Sequence, residues 1–62
     1  MTVLDIKKVT FENVCLYTET SNFDYIELFT GNVADIPAEL LDKPVSSVYA
    51  VRKHMLDIRI EM

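Results

Sequence analysis

Cys15 and His54 are the residues best suited to covalent chemistry, because a thiolate is a nucleophile and an imidazole is the base that can generate it. The chain has one cysteine and one histidine, so any such pair must be this one. Their surroundings argue against it. Cys15 sits in the apolar, β-branched stretch "NVCLYTE", and His54 in "RKHM", which is charged and reads as a turn. A buried structural thiol and a solvated turn histidine account for both. Together they also fall short of the four ligands a structural zinc ion takes. Asp35, Glu39 and Asp42 are close in sequence but lack the spacing of a calcium loop, and capping and solvation explain them. The single glycine, Gly31, excludes a glycine-rich phosphate loop. No catalytic, metal or cofactor residue is assigned, and the chain reads as non-enzymatic.

The elements around these residues are extended for the most part. "TVLDI" and "VTF" carry apolar residues at 4 and 6, then at 9 and 11. The change of parity at Lys7–Lys8 predicts a bulge, a bend or a break between two short strands. "NVCLYTE" and "FDYIELF" follow as strands on either side of a polar turn, and "TGN" ends the second, with Gly31 free to take positive φ. Then comes "DIPAELLDKP". Pro37 suits a first helical position, Glu39 the first turn, Lys43 the last, and Pro44 the stop. A helix over 37–43 spans about 10 Å and is unstable alone, so Ile36, Leu40 and Leu41 must pack on a sheet. "VSSVYAV" and "LDIRIEM" close the chain. The predicted fold is mainly β (α+β): a small antiparallel sheet of about five strands, in meander order, with this helix packed on it. Residues 1–62 form one small domain.

The last strand alternates cleanly, with Leu56, Ile58 and Ile60 on one face and Asp57, Arg59 and Glu61 on the other. This is the pattern of one buried and one wet face. The middle strands differ: Val14 and Leu16 stand against Cys15 and Tyr17, and Ile26 and Leu28 against Phe23, Tyr25 and Phe29. Val48 and Ala50 stand against Tyr49 and Val51. One short helix cannot cover two apolar faces. Either the sheet curls on itself, or a second molecule covers Tyr17, Phe23, Tyr25 and Tyr49.

Ten acidic and six basic residues give a net charge of −4. That opposes binding to a phosphate backbone or an anionic membrane surface. Lys7, Lys8, Arg52, Lys53 and Arg59 are split between two regions and form no RNA-binding signature. No apolar run approaches the ~20 residues of a membrane span, and the N-terminus lacks a secretory pattern. A lone thiol fits a reducing compartment, so the expected location is cytoplasmic. A chain this short usually needs disulfides, metal or self-association, and without the first two, self-association is left, or a core good enough to manage without it.

"G…DIPAELLDKPVSSVYAV…LDIRIE" resembles the C-terminal part of small uncharacterised proteins of prophages and mobile elements of Gram-positive bacteria, in which an Ile-Pro-x-Glu-Leu-Leu-Asp helix leads into a β-hairpin. The resemblance covers residues 31 to 61 and implies a phage-like origin, with no catalytic residue to carry over. Such proteins often place glycine in the final hairpin turn, where this chain has "RKHM". The expected loop is therefore longer than two residues.

Three functions follow as expectations. The first is a protein–protein interaction module that binds itself as a homodimer or an unidentified protein. The second is an acidic inhibitor that mimics DNA toward a host nucleic-acid enzyme, which requires carboxylates in a phosphate-like row. The third, disfavoured by charge, is a single-stranded nucleic-acid binder that stacks bases on Tyr17, Phe23 and Tyr25.

Overall fold

Thr2 and Asp5 set the first element. The Thr2 backbone N–H donates to Asp5 Oδ2 at 2.9 Å, and the Thr2 hydroxyl reaches the same oxygen at 3.3 Å. This cap starts helix α1 (Val3–Lys7), in which Val3 and Ile6 bury one stripe. The structure is a computed structural model that describes residues 1–61, with positions 51 and 52 described by their backbone alone. The N-terminal stretch is thus helical where extended strands were expected. One turn of helix cannot hold itself in water. It is held by docking: the N–H of Val3 donates to the carbonyl of Lys43 at 3.1 Å and that of Leu4 to Leu41 at 2.9 Å. Packing here overrides the β-branched composition.

The strands are β1 (Asn13–Glu19), β2 (Tyr25–Asn32), β3 (Val45–Arg52) and β4 (Met55–Ile60). They form one sheet in the order β2-β1-β4-β3. β1 pairs antiparallel with β2 and β3 with β4, while the central strands β1 and β4 run parallel. The sheet among the described residues therefore has four strands, not about five, and is mixed, not a meander. The chain leaves β2 at one edge and enters β3 at the other. That crossing brings the second hairpin alongside the first with β4 against β1.

The crossing segment holds two 3-10 turns, Val33–Asp35 and Ala38–Leu40, in place of the α-helix expected over 37–43. Leu40, Leu41 and Lys43 each donate a backbone bond three residues back, at 3.0, 3.2 and 3.3 Å. Pro37 is still extended (φ −57°, ψ 142°). Pro44 disfavours helical backbone at Lys43 before it, and in the short segment between the two prolines 3-10 turns form, which close their bonds sooner. The covering role survives, since Ile36 and Leu40 are buried. With Val3, Ile6 and Val33 they cap Val14, Leu16, Ile58 and Ile60 of the central strands. Each such side chain contributes about 1.5–3 kcal/mol by leaving water.

Two corrections concern register. Leu16 pairs with Phe29 but Tyr17 with Glu27, which leaves Leu28 as an extra residue in β2. This bulge moves Phe29 from the side of Tyr25 to the core side, where both Leu28 and Phe29 pack. Gly31 lies within β2 opposite Val14 at φ 157°, and a Cβ there would stand 3.1 Å from the tip of the Phe29 ring. The last hairpin has a two-residue turn, because Arg52 pairs with Met55. His54 makes that possible by taking φ 60°, the conformation usually left to glycine.

Candidate interaction surface

Among the described residues, the cover lies on one side of the sheet only. Pairing places the other face residue by residue. Tyr25 is opposite Glu19, Glu27 opposite Tyr17, and Cys15 opposite Thr30. Tyr17 is also beside Arg59, and Cys15 beside Asp57. Ser47 and Tyr49 complete these rows next to Arg59 and Asp57. Directly paired residues share a face, so Cys15, Tyr17, Tyr25 and Tyr49 stand on the side opposite Leu16 and Ile58. No element among the described residues covers them.

Tyr25 is 62% exposed and Tyr49 47%, while Tyr17 is half-buried between its neighbours. The rings of Tyr17 and Tyr25 meet edge to face, centroids 5.3 Å apart at 83°. This geometry sets a positive ring edge against a negative ring face. Burial raises the Tyr17 phenol above its ordinary value of 10.0, and the nearby Tyr49 and Tyr25 add to the effect. Arg59 pairs with Glu19 across the end of the face. The Cys15 thiol donates to Glu27 Oε1 at 3.7 Å.

Phe23 stands apart from this row. It belongs to the hairpin turn before β2, with its N–H donating to the Thr20 carbonyl at 3.2 Å and Thr20 N–H to Asp24 at 2.7 Å. It is 83% exposed and takes φ 65°. The structure thus brings Tyr17, Tyr25 and Tyr49 onto one face and leaves Phe23 at its end. Glu19, Glu27 and Arg59 share that face, and sequence reasoning did not group them. The signal was parity: each is an even number of positions from a tyrosine on its own strand or from Asp57.

Cys15 and His54 are not brought together. His54 lies three positions before Asp57, the neighbour of Cys15, which is about 10 Å along the strand. No three His, Cys, Asp or Glu groups converge as a metal site among the described residues. An open cleft of about 480 Å³ lies where β1 and β4 end, lined by Thr18, Glu19, Thr20, Ser46, Arg59 and Glu61. Its arginine is the one already paired with Glu19. No helix among the described residues is long and apolar enough to cross a membrane.

The fold and surface define a small, mainly β domain with one covered and one open sheet face. Compared with known proteins, the chain matches no family model, no curated protein and no solved structure at a significant level.

Proposed function

We propose that the chain is a non-enzymatic protein-interaction module and that its open tyrosine face docks a second copy of itself. The observation that carries this is a sheet face, with Tyr17, Tyr25 and Tyr49 on it, that no element among the described residues covers. Tyrosine suits such a surface because its ring gives apolar contact and its hydroxyl keeps a hydrogen bond.

The area of the face favours a copy as occupant. Four strands ~4.8 Å apart, at ~3.3 Å per residue along the seven residues of β1, present roughly 450 Å² before side chains and rims are added. Two such faces bury on the order of 1,000 Å², the lower end for a specific interface. Most of the carboxylates lie elsewhere. Seven of the ten carboxylates, at Asp5, Glu12, Asp24, Asp35, Glu39, Asp42 and Glu61, belong to α1, loops, turns, the crossing segment and the chain end. They are spread over several elements, and the DNA-mimic reading draws no support from that. Phage-like origin and a cytoplasmic location belong to the same proposal and rest on the sequence.

Light scattering after size exclusion tests the reading. The expected mass is twice the 7.1 kDa of the chain, and Tyr25→Ala or Tyr49→Ala should shift the population toward monomer. A monomer at every concentration up to about 1 mM, well above the range of specific complexes, would withdraw it.

A further inference from the structure

We infer that Glu27 opposes the docking of two copies, so that salt sets the strength of the dimer. This rests on the docking face proposed above and names what regulates it. Strand register places Glu27 of β2, Glu19 of β1, and Asp57 and Arg59 of β4 on that face. Arg52 of β3 joins them by its backbone register, in the row of Met55 and Asn13. Acidic residues therefore outnumber basic ones there even with Arg52 counted. Arg59 is already engaged by Glu19 within the protomer. Glu27 is exposed, and the side chain that reaches it is the Cys15 thiol at 3.7 Å, a weak donor that carries no charge to offset the carboxylate.

A closed dimer buries the same patch on both subunits, so the surplus enters twice whichever way the two-fold axis runs. At about 0.01 M salt the Debye length is about 30 Å. That exceeds the roughly 23 Å spanned by the seven residues of β1. Charges on the facing copies then act on each other as sums, and the two sums have the same sign. At about 0.15 M the length falls to about 8 Å, and only close charges still count. Added salt therefore relieves the repulsion. A second cost is local. Docking draws the Glu27 carboxylate out of water beside Tyr17, and a carboxylate loses free energy there unless a cation receives it.

Sedimentation of wild type, E27Q and E39Q at these two salt levels tests the inference. E39Q removes the same charge from a different place, since Glu39 is exposed on the 3-10 turn that helps cover the opposite side of the sheet. The wild-type dimer should be several-fold tighter at the higher salt. E27Q should be several-fold tighter than wild type at the lower salt and should respond less to added salt. E39Q should stay close to wild type. An E27Q dimer no tighter than wild type would overturn the role of Glu27 and leave the docking face standing. So would an E39Q dimer tightened as much as E27Q, because the effect would then belong to the net charge of the chain. Wild type and E27Q both monomeric at either salt level would overturn the docking face as well.

Discussion

Phe23 and His54 hold the left-handed backbone conformation, at φ 65° and 60°, where a Cβ crowds the following carbonyl. Histidine tolerates the conformation better than a bulky aromatic does. At Phe23 the surrounding bonds are those of a three-residue hairpin loop whose last position is usually glycine. Strain at an exposed aromatic suggests that the ring is kept for contact. His54→Gly and Phe23→Gly should each raise stability by about 0.5–1 kcal/mol, the relief of strain less the flexibility that glycine adds. Thermal melts check this. Light scattering then separates the two, since only Phe23→Gly should loosen the dimer. Tyr17 gives a pH signature. Its phenol is raised in the folded state, so the unfolded chain ionises first as pH climbs past 10.0. Stability should be unaffected by this group below that value and fall above it. Tyr17→Phe should flatten the alkaline part of the melting curve.

At the level of elements, α1 depends on Asp5. The Thr2 N–H bond holds its carboxyl below the ordinary 3.8, with the Thr2 hydroxyl and nearby positive charges helping. A lowered value means that the stabilisation is present above 3.8 and is lost as pH falls through the folded value. Asp5→Ala should lower the melting temperature at pH 7, and the difference from wild type should close under acid. Thr2-x-x-Asp5 with Val3 and Ile6 three apart was a readable helix start. The alternation of Leu4 and Ile6 obscured it, and five residues are too few for periodicity to decide. β4 was legible because one face is dry and the other wet over all of "LDIRIE". The Leu28 bulge was not, since an inserted residue leaves composition unchanged and flips only the parity beyond it. That is why Phe29 was placed with Tyr25 and belongs with Leu16. The crossing segment was read correctly as a cover and incorrectly as α-helix, because the prolines that mark its ends also shorten it.

Across the whole molecule, a thin core carries the fold. Ile58 is fully buried on β4 opposite Leu16. Truncating it to alanine removes about 2–5 kcal/mol from a domain whose net stability is about 3–9 kcal/mol. Ile58→Ala should therefore be largely unfolded or melt far lower, as circular dichroism would show. Strand order was the least legible feature, because the parallel pairing of β1 and β4 is decided by where the crossing segment passes, and no residue within either strand encodes it. The tyrosines were legible as a surplus. Their gathering on one face followed only once pairing was known.

Glu19 and Arg59, the ion pair that spans the two central strands, are 40 residues apart in sequence. On a ribosome, the first hairpin emerges before its mate does, with its future inner edge bare. Closure must wait for a distant segment, which slows folding relative to local structure. Until then the nascent chain exposes Val14 and Leu16 to whatever is nearby. The parallel join that completes the sheet thus also sets when, during synthesis, the protein is most open to capture by chaperones or by other unfinished chains.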